Sequence, residues 1–171
     1  EIARLAKSAS ITLGALNTET KNQALSSISK MLIENRDRII HANNTDLERA
    51  HRENLSKPLV KRLYFQEEKI LDVCKGIESL RDLPEPVGTI ISARELDKDL
   101  ELFQVSCPIG VIGVIFESRP DALVQISSLC LKSGNAVLLK GGTEARETNS
   151  VLADIIIRAT ENSGLPNHWL N

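Results

Sequence analysis

Between Cys107 and Glu144 the chain reads CPIGVIGVIFESRPDALVQISSLCLKSGNAVLLKGGTE, and this stretch narrows the possible folds more than any other. A short β-branched apolar run, Val111 to Phe116, breaks off at Ser118-Arg119-Pro120. Apolar residues then return with helical spacing at Leu123, Ile126, Leu129 and Cys130. Ser133-Gly134-Asn135 stops that helix, a second apolar run covers Ala136 to Leu139, and Lys140-Gly141-Gly142 leads into a further helix. The order is β, α, β, α. Both strand runs are too apolar for one wet face, so they are expected in a parallel sheet covered by helices. Ligands of such sheets collect outside the carboxyl ends of the strands. Two polar loops fall there, Glu117-Ser118-Arg119-Pro120 and Lys140-Gly141-Gly142-Thr143-Glu144.

The half of the chain before this stretch reads as helix. Ile2, Leu5 and Ala9 mark a first helix ending near Gly14, and Asn17 with Thr18 can cap a second that carries Ala24, Leu25, Ile28, Met31 and Leu32. The charged segment Arg36 to Glu53 predicts a surface helix interrupted at Asn43-Asn44, its alternating charges a solvated face. Ser56-Lys57-Pro58 starts another helical turn, and Glu67 to Leu80 gives an amphipathic helix with Ile70, Val73, Ile77 and Leu80 inward. Pro84-Glu85-Pro86 ends the helical block. Thr89 to Ala93 and Leu100 to Val105 then have strand character around a polar turn at Asp97-Lys98-Asp99. Such a ribbon is marginal alone and needs something to pack on. The last helix should run from Glu144 to Asn162, with Gly164 as its C-cap and Pro166 preventing continuation, and a third strand is expected next.

Composition excludes several classes. The chain has 171 residues, 42% hydrophobic and 26% charged, with a net charge of -2 and no basic cluster, which argues against a nucleic-acid partner. No apolar run is long enough for a membrane span. Cys74, Cys107 and Cys130 are widely spaced and form no CxxC pair, so each is read as a small packing residue in a reducing compartment. His41, His51 and His168 have no metal-ligand spacing.

For the two loops the residue types leave alternatives open. Lys140-Gly141-Gly142 can be a glycine turn with a solvated lysine. It can equally let a cofactor approach the backbone, with the next helix offering unpaired N–H groups to an anion. Glu144 can cap that helix or bond a ribose hydroxyl. Arg119 can clamp a phosphate or carboxylate in a bidentate fork, or pair with Glu117 or Asp121 to fix its own loop. Trp169, beside His168, is expected to pack on the preceding helix. Asn43-Asn44 with Asp46 is explained by a helix interruption without invoking a ligand.

PIGVIGVIFESRPDAL, SGNAVLLKGG and the later GLP together cover most of positions 107 to 166. In these words the chain resembles γ-glutamyl phosphate reductase, the proline-biosynthesis member of the aldehyde dehydrogenase superfamily, which is also the reductase half of pyrroline-5-carboxylate synthase. FESRPD followed by GNAVLLKGG is the specific part. The resemblance implies an α/β fold: a partial Rossmann-like parallel sheet of the aldehyde dehydrogenase type, preceded by an N-terminal helical segment and a strand ribbon. It divides an incomplete NAD(P)-binding domain, 1–171, into a helical segment (1–83), a strand excursion (87–106) and the first βαβα of the nucleotide-binding fold (107–171). It places Lys140, Gly141, Gly142, Thr143 and Glu144 on the cofactor NADPH, with the lysine at the adenosine ribose, and Ser118 and Arg119 on the substrate, L-glutamyl 5-phosphate. The family tract usually reads KGGKEA, so Thr143 bears on the preference for NADPH over NADH. Classical aldehyde dehydrogenases carry an oxyanion-stabilising asparagine near FESRPD, and its replacement here argues against a generic aldehyde oxidiser.

The same resemblance implies a reaction in which a cysteine attacks the acyl phosphate, phosphate leaves, and hydride reduces the resulting thioester to glutamate 5-semialdehyde. The family's nucleophile lies downstream of the KGG tract, so this chain is expected to be an inactive amino-terminal fragment with no catalytic residue of its own. The intact enzyme is expected to be a cytoplasmic homo-oligomer acting on a small molecule, with neither nucleic acid nor membrane as partner. Two other readings stand beside it: a non-catalytic nucleotide-binding or oligomerisation module of the same fold, and a conventional aldehyde dehydrogenase.

Overall fold

The computed structural model describes all 171 residues. Five helices come first: α1 (Ile2–Gly14), α2 (Thr18–Glu34), α3 (Arg36–Arg52), α4 (Lys57–Leu63) and α5 (Glu67–Arg81). Asn17 caps α2 by accepting from the Thr20 N–H at 2.8 Å, a contact of the type worth about 1 kcal/mol. The expected interruption of α3 does not occur. Asn43 is fully buried within it. Its carboxamide accepts from the Phe65 N–H at 2.9 Å and from Gln66 Nε2 at 3.1 Å. It donates to the Leu63 carbonyl at 2.9 Å and to Thr148 Oγ1 at 3.2 Å. An asparagine disfavours helix because it competes for nearby backbone groups. Here it bonds distant ones, so the helix survives and gains a bracket to two other elements.

The ribbon follows as β1 (Ile90–Asp97) and β2 (Leu100–Val105), antiparallel, with Ala93 opposite Phe103 and Glu95 opposite Glu101. Every residue of both strands is exposed, among them Ile91, Leu102 and Phe103. The βαβα unit comprises β3 (Val111–Ile115), α6 (Pro120–Lys132), β4 (Ala136–Lys140), a 3-10 turn at Thr143–Ala145 and α7 (Arg146–Glu161). α6 closes in a Schellman motif: the Asn135 N–H donates to the Cys130 carbonyl at 2.8 Å and the Gly134 N–H to Leu131 at 3.1 Å. Gly134 takes the required left-handed conformation, φ +72°. Asn135 then accepts from the Gly110 N–H at 2.8 Å, which sets the start of β3 beside β4.

β3 and β4 are parallel, from Val111 opposite Ala136 to Ile115 opposite Lys140. Where a third strand is expected, the chain makes an isolated parallel bridge between Val137 and Leu170: the Asn171 N–H donates to the Val137 carbonyl at 3.0 Å and the Leu139 N–H to the Asn171 carbonyl at 2.7 Å. Helix α7 ends before the expected cap, at Glu161, with Gly164 (φ +75°) standing beyond it. Trp169 packs back on α7 with 3% exposure, its Nε1 donating to Thr160 Oγ1 at 3.1 Å.

One apolar cluster of 24 buried residues draws on α1, α2, α3, α5, α6, β4 and α7, so the helical half and the βαβα unit share a single core. Ile112 and Val114 of β3 face it together with Val137 and Leu139. The cover is less complete than the apolar runs imply, since Ile115 is 84% exposed. β3 is paired on one edge only, which leaves its outer flank to solvent. No helix is long and apolar enough to cross a membrane.

Candidate functional site

Because Ile115 and Lys140 are paired in register, β3 and β4 end level and their loops leave the sheet side by side. The Phe116 N–H donates to the Lys140 carbonyl at 3.1 Å and extends the ladder by one rung. Between the loops lies a cleft of about 470 Å³. Its walls are Ile115 to Ser118 and Lys140 to Glu144, with Leu55 from the turn before α4 and Leu59 from its first turn as an apolar side. Of the residues expected at the site, Ser118, Lys140, Gly141, Gly142, Thr143 and Glu144 line this one cavity. Arg119 is outside its wall, its guanidinium turned to Asp121 at 3.0 Å. The Arg119 side chain is half exposed, and an ion pair of that kind is worth under about 1 kcal/mol, so another anion can compete for it.

A single carboxylate ties the two loops together. Glu144 Oε1 accepts from the Ser118 N–H at 2.8 Å and from the Ser118 hydroxyl at 2.6 Å. Ser118 is buried and adopts φ +39°, a left-handed conformation that costs a non-glycine residue energy unless its surroundings hold it. Burial alone would raise the Glu144 pKa. The Ser118 hydroxyl and N–H, with Lys140 nearby, outweigh that and hold the carboxyl below its ordinary value. The carboxylate is therefore held in its ionised, acceptor-only form. It caps nothing on its own helix.

The glycines serve this contact. Neither Gly141 nor Gly142 has a positive φ. A Cβ at Gly142 would strike the Glu144 carboxylate, and one at Gly141 would strike Asn149. The tract needs glycine for space rather than for backbone freedom. Lys140 is exposed at the cleft mouth, donating only to the Gly141 carbonyl at 3.3 Å.

The expected anion site at the start of α7 is already taken. Asp46 of α3, fully buried, accepts from the Thr148 N–H at 2.8 Å, Thr148 Oγ1 at 2.7 Å and the Glu147 N–H at 3.2 Å. Arg49, paired with Asp46, donates to the carbonyls of Thr143 at 3.1 Å and Glu144 at 3.3 Å. The first N–H groups of α7 therefore meet a protein carboxylate, and a phosphate would have to displace it. The sequence reading put Asn43 and Asp46 down to a helix interruption and Arg49 to a solvated charged face, and so missed what all three do. The signal was there in the spacing: Ile39, Ala42, Asn43, Asp46 and Ala50 form one buried helical stripe, in which a polar residue calls for a partner.

The cysteines fall away from this cleft. Cys74 and Cys130 are buried, and burial raises both thiol pKa values, against thiolate formation. Cys107 departs from the packing role expected of it and is exposed. It precedes β3, so the length of that strand, about 16 Å, separates it from the cleft.

No protein-family model matches the sequence. The chain is 60% identical over 170 residues to the γ-glutamyl phosphate reductase of Acetivibrio thermocellus, covering 99% of this chain and 39% of that relative. The crystal structure of γ-glutamyl phosphate reductase from Thermotoga maritima superposes with a TM-score of 0.95 at 34% identity, over 99% of this chain and 41% of that one. An acetylating aldehyde dehydrogenase from Geobacillus thermoglucosidasius matches with a TM-score of 0.70 at 15% identity, over 98% of this chain and 34% of that one, a likeness of fold alone. The chain thus spans about two-fifths of the length of the reductases it matches. Along nearly its whole length it is homologous to γ-glutamyl phosphate reductase, on a fold of the aldehyde dehydrogenase type.

Proposed function

We propose that the protein carrying this chain reduces L-glutamyl 5-phosphate to L-glutamate 5-semialdehyde with NADPH, and that residues 140–144 and 118–119 form its cofactor and substrate loops. What supports this most is the conjunction of 60% identity to such a reductase with a cleft at the carboxyl ends of two parallel strands, lined by the KGG tract. The cleft suits a nicotinamide dinucleotide in kind. It has an ionised carboxylate with acceptor capacity for sugar hydroxyls, an exposed lysine for the adenosine ribose and its 2′-phosphate, and the apolar side chains Leu55, Leu59 and Phe116 for a base. When bound, the dinucleotide supplies the hydride. Lys140 and Glu144 hold and orient it, and Thr143 in place of the family's second lysine weakens discrimination in favour of NADPH. Ser118 fixes the loop from which Arg119, released from Asp121, engages a carboxylate or phosphate of the substrate. The nucleophilic cysteine comes from elsewhere in the protein, since two thiols here are buried and the third is remote from the cleft. Residues 1 to 171 alone are then inactive.

The test is the reverse reaction of the full-length protein: reduction of NADP⁺ by glutamate semialdehyde, with and without inorganic phosphate. Strict dependence on phosphate is expected, because only acyl phosphate formation consumes it. Turnover without phosphate would assign a conventional aldehyde dehydrogenase instead. NADPH binding without turnover under either condition would assign a non-catalytic module.

A further inference from the structure

Residues far apart in sequence determine how the turn at 143–148 is held. The side chain of Arg49 is 28% exposed, lines no part of the cleft, and donates to the carbonyls of Thr143 and Glu144. Asp46, with no exposure, binds Arg49 and accepts from Glu147 and Thr148. Glu144 is thereby held twice, at its backbone by Arg49 and at its carboxylate by Ser118. An anchored backbone matters here because a carboxylate placed on a free turn would pay the ordering entropy each time a ligand bound. With Asp46 seated on the amino end of α7, Lys140 is the one cationic side chain in the cleft wall.

We infer that the Asp46–Arg49 pair is a positioning device for nucleotide binding: α3 presets the turn bearing Thr143 and Glu144, and closes the end of α7 to phosphate so that the nucleotide's anionic part is met by Lys140. This rests on the reading of residues 140–144 as the cofactor loop. Arg49 touches no ligand in this scheme and acts only through the turn.

The experiment uses the full-length protein with Arg49→Met, which keeps the apolar stem, and Arg49→Lys, which restores one donor. NADPH affinity is read by fluorescence, and kcat and KM in the phosphate-dependent direction. Arg49→Met is expected to weaken NADPH binding and raise the KM for NADP⁺ about tenfold, in line with the loss of charge-assisted bonds to two carbonyls. The kcat and the KM for glutamate semialdehyde should stay within about twofold, and Arg49→Lys should recover part of the loss. Unchanged nucleotide affinity in Arg49→Met would overturn the inference. So would a proportional loss of affinity for both substrates, which is the mark of general loosening. If Arg49→Met does not fold, Arg49→Lys decides by the same split. Failure of the unaltered protein to bind NADPH would overturn the cofactor reading itself, and the inference with it.

Discussion

Ser118 and Glu144 illustrate how much can hang on one contact between two side chains. The serine is in a backbone conformation that a non-glycine residue adopts at a cost of about 1 kcal/mol or more, and two bonds to one carboxylate oxygen hold it there. Folding lowers the Glu144 pKa, so the folded protein binds this proton less readily than the unfolded chain. Its stabilising contribution is present above the unfolded carboxylate value, about 4.3, and is lost as the pH falls through the lower folded value. Glu144→Gln should therefore destabilise by about 1 kcal/mol at pH 7. That difference should shrink on acidification below about pH 4, as read by thermal unfolding at the two pH values. Gly142→Ala attacks the same contact from the other side, since its methyl group occupies the space of the carboxylate. It should weaken NADPH binding about tenfold, a loss of about 1.4 kcal/mol, measured by titration of the full-length protein. An affinity within twofold of the unaltered value would show that Glu144 can leave Ser118 without consequence.

At the scale of elements, α3 does more than present charge to solvent. Asn43 makes four bonds that tie it to the α4–α5 connection and to α7, and Asp46 caps α7 from outside its own sequence neighbourhood. Asn43→Ala leaves the Phe65 N–H and the Leu63 carbonyl without these partners in a dry interior. It is expected to cost about 3 kcal/mol, seen as a fall in the urea midpoint. A cost below about 1 kcal/mol would mean that water reaches the site. A second polar tie sits at the far end of the helical block. Lys21 of α2 is fully buried and pairs with Glu85 at 2.5 Å, while Lys132 donates to Asn22 Oδ1 and the Arg81 carbonyl, each at 2.9 Å. Burial would raise the Glu85 pKa, but the Lys21 ammonium and the Val87 N–H outweigh it and hold the carboxyl low. This pair pins Pro84-Glu85-Pro86, the segment from which the ribbon departs. Lys21→Met removes one partner of a largely buried pair and should cost about 3 kcal/mol by the same measurement.

Over the whole molecule the distribution of stability is uneven. The shared core binds α1, α2, α3, α5, α6, α7 and the sheet into one unit, and the ribbon stands outside it with every residue exposed. Ile91→Ser together with Phe103→Ser should accordingly change the unfolding free energy by less than about 1 kcal/mol, because Ile91 and Phe103 stay 62% and 48% exposed and neither joins the shared core. A fall of several kcal/mol would show the ribbon to be part of the cooperative unit. The cleft sits where the rigid part is best braced, with β3 and β4 below it, α4 beside it and α3 behind the turn.

Local chemistry and periodicity determined the elements. The strands at 111–115 and 136–140, the helix between them, the left-handed stop at Gly134 and the cap at Asn17 were all legible, because each depends on residues within a few positions of one another. The two loops followed from where strands of a parallel sheet end, and of the seven residues expected at the site six line the cleft between them. The tertiary structure alone decided what those residues do to one another. Glu144 turned to Ser118 across 26 positions, and Asp46 took the amino end of α7 across about a hundred. Asn43 stayed helical because its partners came from other elements. A hydrogen bond depends on a meeting in space, and single-sequence spacing reports such meetings only along one helix or strand. The polar members of the buried stripe of α3 announced that partners must exist, and only packing could name them.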